Sequence, residues 1–179
     1  MLGLRRSTAL CAVAFTLGAC GPVTSTDQRG AAPDRPGATQ QIASAPPGAT
    51  AADFRVADTR TVAEYLEEPR YASADLRRGE LLSLACQACH TLKAGEPDNI
   101  GPNLSGIFGR SAAARSSFAY SDALRGSGIV WTPAAVEAWL GDPAGFLPGT
   151  IMAFAGYRSG EDRRALVAFL LRATRENAP

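Results

Sequence analysis

The sequence predicts an all-α domain of short helices and long loops closed around one large apolar group. Three observations carry that prediction. Apolar residues recur at helical spacing in several short runs that open on cap residues, and no run alternates at the period of a strand. The stretch from Thr91 to Ser117 is crowded with Gly, Pro, Asn and Ser, so much of the domain is loop. Helices this short make a poor core, and long loops inside a compact domain generally cover something.

The chain has 179 residues and a formal net charge of +1, which gives no reason to expect nucleic acid as a partner. Arg5 and Arg6, followed by the apolar run from Ala9 to Ala19, read as a signal segment. The run is too short to span a membrane, which takes roughly 20 apolar residues. It ends in "LGAC", which resembles a bacterial lipobox in which Cys20 is lipidated and becomes the mature N-terminus. Residues 1–19 are then the signal peptide, and Cys11 leaves with it. Residues 20–53 are rich in Ala, Pro, Gly, Ser and Thr and have nothing large to bury, so a flexible tether is expected. Such a chain spans about 30 Å on average and about 100 Å when stretched. In residues 54–73, Thr61 can cap a short helix that Pro69 stops, with Val62, Tyr65 and Leu66 on one face. Whether that segment docks or extends the tether is open at this stage.

The compact domain is expected over 74–179. Ser73 or Asp75 caps a helix carrying Leu76, Leu81, Leu82 and Leu84 into Cys86. Ser121 opens a short helix that Gly126 or Gly128 ends. Thr132 and Pro133 are a cap followed by proline at the first helical position, and Val136, Trp139 and Leu140 share a face behind them. Asp142, Pro143 and Gly145 break that helix. The last helix has Glu161 and Asp162 at its start, Arg172 and Arg175 at its end, and a stripe of Leu166, Phe169 and Leu170.

The chemistry centres on "CQACH", Cys86 to His90, which contains the only histidine of the chain. The spacing suits a redox dithiol, half of a zinc site, or attachment of c-type haem. A thioredoxin-type dithiol wants a βαβ sheet, and none is legible. A structural zinc site needs four ligands, and beyond Cys86, Cys89 and His90 the domain offers no other Cys or His. Haem attachment needs what is present: two thiols one helical turn apart for the two vinyl groups, and an imidazole beside them. The opposite axial position falls to Met152, the only methionine left after the signal, in the loop "LPGTIMAFAG". A lone Met is often core filler, but this one sits among Pro and Gly rather than in a periodic apolar run.

The stretches "CQACHTL", "GPNLSGIFGR", "FAYSDALRGSGIVWT" and "FLPGTIMAFAG" resemble class I cytochrome c, in particular the mitochondrial type, in order and nearly in spacing from about Ala74 to Thr174. The resemblance implies one haem c held by thioether bonds to Cys86 and Cys89, with His90 and Met152 as axial ligands. It implies that the Pro102 carbonyl accepts from the far nitrogen of His90, and that Arg110, Tyr120, Ser121 and Trp131 surround the propionates. Thr150 is expected to bond a propionate or a neighbouring group, Phe154 to shield the haem, and Gly79, Leu82, Leu166 and Phe169 to form the crossing of the first and last helices. The chain departs from the family in four ways. Trp139 stands where a Tyr is usual, and its indole N–H donates but cannot accept, so hydrogen bonding at the methionine must differ. Leu124 replaces a frequent Asn. The interval from Gly79 to Cys86 is one residue short. Ala85, Ala144, Gly145 and Ile151 stand at positions that commonly carry lysine, leaving Lys93 as the only lysine.

The functional expectation is a one-electron carrier and not an enzyme: a monomer facing the periplasm of a Gram-negative cell, tethered by lipid, with no small-molecule substrate. The resemblance points to a quinol–cytochrome c oxidoreductase as donor and a terminal oxidase as acceptor in a respiratory chain. With near-balanced charge, steering should be weak and exchange only mildly salt-dependent. The competing readings are a haem enzyme or gas sensor with a labile Met ligand, and a fixed electron-input subunit of a larger redox complex.

Overall fold

A computed structural model describes residues 48–175. The signal segment, Cys20 and the tether up to residue 47 lie outside the described residues.

The last residues of the stretch expected to be tether, Ala51 to Asp53, are folded. Ala51–Phe54 forms a single 3-10 turn opened by Thr50 and Asp53 in a capping box, with Ala51 buried. Phe54 donates its side chain to the core against Phe146, ring centroids 5.7 Å apart, and its carbonyl accepts from the Val130 amide at 2.8 Å. The reason lies in one aromatic that composition alone underweights. The segment left open by the sequence is docked. Helix α1, Val62–Glu67, is capped by Thr61 with Glu64 reaching back, and α2, Pro69–Ala72, starts on the proline that ends α1. Tyr65 and Tyr71 are buried in the same core as the C-terminal helix.

Helix α3, Leu76–Gln87, is capped by Asp75, whose carboxylate accepts from the Arg78 amide. Its apolar content does not all turn inward. Leu82 is buried, but Leu81 and Leu84 are exposed. The buried face is narrow because the contact with α7 is made through Gly79, Leu82 and Ser83. A long turn-rich segment follows from Thr91 to Tyr120 without a helix, crossed by one isolated bridge between Ser111 and Val130. Asn103 pins it: the buried amide donates to Thr91 Oγ1 and the Lys93 carbonyl, and its oxygen accepts from the Ser105 amide.

Helix α4, Asp122–Arg125, is capped by Ser121 and ends at Gly126. Helix α5, Pro133–Trp139, is capped by Thr132. Asp142 does not simply stop it; the carboxylate caps a further turn, α6, Pro143–Phe146, by accepting from the Gly145 amide at 3.0 Å. Trp139 stands edge-on to both Trp131 and Phe146, at 5.4 and 5.8 Å between centroids. Helix α7, Gly160–Ala173, is capped by Ser159 and carries Leu166, Val167, Leu170 and Leu171 into the core, with Glu161 and Asp162 in its first turn. Among the described residues there is no strand, so the architecture is all-α, and no helix is long and apolar enough to cross a membrane.

Candidate cofactor site

Every residue assigned to the cofactor from the sequence lines one cavity: Cys86, Cys89, His90, Pro102, Arg110, Tyr120, Ser121, Trp131, Thr150, Met152 and Phe154. Three parts of the chain supply them. The end of α3 brings the two cysteines, and His90 follows as the helix closes, its amide donating to the Cys86 carbonyl at 2.9 Å. The His90 ring is oriented by its Nδ1, 2.6 Å from the Pro102 carbonyl, so Nδ1–H is the donor and Nε2 is left unprotonated, able to bind a metal. Gly101 makes this approach possible: a Cβ there would overlap the imidazole. Burial pushes the His90 pKa down, partly countered by the Pro102 contact, and so favours the neutral ring a metal needs.

The loop before α7 brings the thioether. The Met152 amide donates to Thr150 Oγ1 at 3.3 Å, and the Trp139 indole donates to Met152 Sδ at 3.2 Å. The expected difference at this methionine therefore takes a definite form: a donor that cannot also accept. Tyr157 ties this loop to the cysteine side, donating from its hydroxyl to the Leu82 carbonyl at 3.0 Å and from its amide to the Leu140 carbonyl at 2.7 Å.

Arg110 reaches the cavity wall with Nη1 donating to the Ser105 carbonyl at 2.9 Å. Ser121 Oγ is also the cap of α4, accepting from the Leu124 amide at 3.2 Å, and Leu124 lines the cavity beside it. Sequence reasoning missed several wall residues, among them Ile107, Phe118, Val136 and Leu140. Val136 and Leu140 were legible as the apolar face of α5; Ile107 and Phe118 sit in irregular backbone where no periodicity marks them.

The donor set fits haem c and fits the alternatives poorly. Burial pushes the Cys86 thiol up to about 11, whereas a working redox dithiol needs a depressed thiol. Among the described residues no group of three or more His, Cys, Asp or Glu is placed to hold a metal ion. A separate groove lined by Thr61, Val62, Leu66, Phe108 and Thr174 offers no thiol, imidazole or thioether.

A helical domain whose thiol pair, imidazole and thioether meet in one apolar cavity defines a c-type haem protein. No protein-family model matches the chain. Curated proteins do. Cytochrome c of Cochliobolus lunatus is 39% identical over 106 residues, 59% of this chain and 98% of that one. Cytochrome c of Arabidopsis thaliana is 41% identical over 97 residues, 54% and 87% of the two chains. Cytochrome c2 of Blastochloris viridis is 37% identical over 99 residues, 55% and 78%. The chain belongs to the class I cytochrome c family, electron-transfer proteins carrying one covalently bound haem c.

Proposed function

We propose that this electron carrier is tethered to a membrane and faces the periplasm, as a monomer anchored by lipid on Cys20 through the Ala/Pro-rich segment that follows it. His90 Nε2 and Met152 Sδ would hold the haem iron from the protein side, and Cys86 and Cys89 would carry the thioether bonds. The bound haem supplies one iron that exchanges a single electron between its ferrous and ferric states. The observation that carries the reading is that His90 and Met152, from two different loops, line the same cavity. With two protein donors for the iron, no position would be left open for a substrate. A thioether donor raises the potential, and the buried wall of Trp131, Val136, Trp139 and Leu140 disfavours the extra positive charge of the oxidised state. Arg110, Tyr120, Ser121 and Thr150 hold the propionate end, and Phe154 covers the methionine side. A positive potential suits transfer from a quinol–cytochrome c oxidoreductase to a terminal oxidase, the partners proposed here.

The optical spectrum of the oxidised holoprotein tests the coordination. The weak far-red band of a sulfur–iron bond is expected at neutral pH and should vanish in Met152→Ala. If the wild type lacks that band and its reduced form binds carbon monoxide, the iron is open and the enzyme or sensor reading takes over. The indole donor makes a finer test. It withdraws electron density from the sulfur, so Trp139→Phe is expected to lower the midpoint potential. A neutral hydrogen bond nets about 1 kcal/mol, which bounds the drop at about 40 mV for one electron. A redox titration in which the potential stays put or rises would show that the contact does not act on the iron.

A further inference from the structure

Of the six large apolar side chains left exposed among the described residues, four stand near the cofactor cavity. Leu81 and Leu84 are 61% and 60% exposed on α3, and Ile100 and Ile151 are 75% and 66% exposed. Leu81, Leu84, Ala85 and Ala88 follow the i, i+3, i+4, i+7 spacing of a single helical stripe, all of them exposed. Ala85 lines the cofactor cavity, as do Ile100 and Ile151. The stripe therefore meets the cavity at Ala85, and the two isoleucines stand at its mouth, one beside the glycine that cradles His90 and the other beside Met152. Arg110 is the only cavity-lining residue with a permanent charge, and it donates to the Ser105 carbonyl.

We propose that Leu81 and Leu84, with Ile100 and Ile151 at the cavity mouth, form an apolar docking face, with Arg77 one turn before Leu81 as the one charge on its α3 stripe, for an electron-transfer partner whose own face is apolar and free of acidic clusters. The inference rests on the carrier reading above. An acidic partner face would bury a cluster of carboxylates here against Arg77 alone, and that is strongly unfavourable. A matching apolar face loses nothing and gains from every side chain removed from water. Four side chains make a small patch, at the low end of transient interfaces, which lets the partner leave after transfer. A lipid surface is the weaker candidate occupant because anionic headgroups call for a cluster of Lys or Arg, and on the α3 stripe only Arg77 is basic. A tether that raises effective concentration stands in for electrostatic steering.

The test uses the full-length holoprotein with membranes containing the quinol–cytochrome c oxidoreductase and terminal oxidase of the source cell. Leu81→Gln/Leu84→Gln and Ile100→Gln/Ile151→Gln are compared with Val56→Gln, which is 82% exposed but absent from the cavity lining. Binding to the detergent-solubilised oxidase is measured beside the transfer rate. Each double variant is expected to bind at least about tenfold more weakly with an unchanged far-red band and melting curve. Val56→Gln should match the wild type. Wild-type binding should change less than about twofold between about 50 and 500 mM salt. If the double variants bind as the wild type does, or if wild-type binding falls steeply with salt, the docking face is refuted while the carrier reading stands. If the wild type neither binds nor exchanges electrons with either complex, both fall. Two other results overturn the docking proposal by naming a different occupant. One is sedimentation that shows self-association abolished by the double variants. The other is face-dependent binding to protein-free phosphatidylcholine vesicles.

Discussion

Arg70→Met is expected to cost about 3–5 kcal/mol of folding stability, although it lies far from the cofactor in sequence. Glu137 is 1% exposed in the middle of α5. Arg70 Nη2 donates to both its oxygens at 2.8 and 2.7 Å, and the Tyr71 hydroxyl donates to Oε1 at 2.8 Å. The pair is not a reason for high stability in itself, because two desolvated charges repay their burial only narrowly. Removing one partner is different, since it strands the other charge in the core. Burial already raises the Glu137 carboxyl above its ordinary 4.5, with Arg70 and Tyr71 holding it back. Without Arg70 it must rise further. The folded state then holds the proton more tightly than the unfolded chain, so stability falls as pH rises through the raised value. Below about 4.5 both states are protonated and the deficit should largely close. Adding Glu137→Gln removes the stranded charge and should recover part of the loss at neutral pH. Urea titrations at acid and neutral pH decide the matter: a deficit under about 1 kcal/mol, or one that ignores pH, would show that the carboxylate finds water or another cation.

This latch connects the N-terminal extension to the cofactor wall. On α5, Val136 just before Glu137 and Trp139 two residues after it both line the cavity, and Trp139 is the donor to Met152. None of it was legible in the chain. Glu137 in "PAAVEAWLGD" resembles a solvent-facing residue of an amphipathic helix, and its partner lies 67 positions earlier, in a segment whose docking the sequence left open. What was legible had a local mechanism. Thr61, Asp75, Ser121 and Thr132 each cap the helix expected of them because the hydroxyl or carboxylate needs only the amide three residues on. The cysteine pair, His90 and Met152 were legible by elimination, since each is a scarce residue type with few other uses. Side-chain direction on α3 was not, because four leucines at 76, 81, 82 and 84 do not lie on one face and tertiary contact picks Leu82. Nor was the restart at Asp142, where residues that end one helix also begin the next turn.

Gly79→Ala is the second substitution expected to be severe, and intrinsic propensity predicts the opposite sign. In an exposed helix the change would stabilise by about 1 kcal/mol. Gly79 is buried where α3 crosses α7, and an added Cβ would overlap the Ala165 carbonyl oxygen and stand 2.9 Å from Phe169 Cβ. The obstacle is backbone, so no rotamer change relieves it. The helices must part, which opens the packing around Leu82 and Leu166. Overpacking of this kind costs about 1–3 kcal/mol, and backbone against backbone puts it at the upper end. The net loss should therefore be about 2 kcal/mol. Its consequence should reach the site, because α3 carries Cys86 at its far end and α7 contributes Leu170 to the cavity wall. Thermal unfolding of the holoprotein, followed by both helical circular dichroism and the far-red band, is expected to show the two signals lost together at a lower midpoint. A variant as stable as the wild type would mean that the crossing is loose enough to admit a methyl group, and the close approach at Gly79 would not be what sets the distance between the two helices.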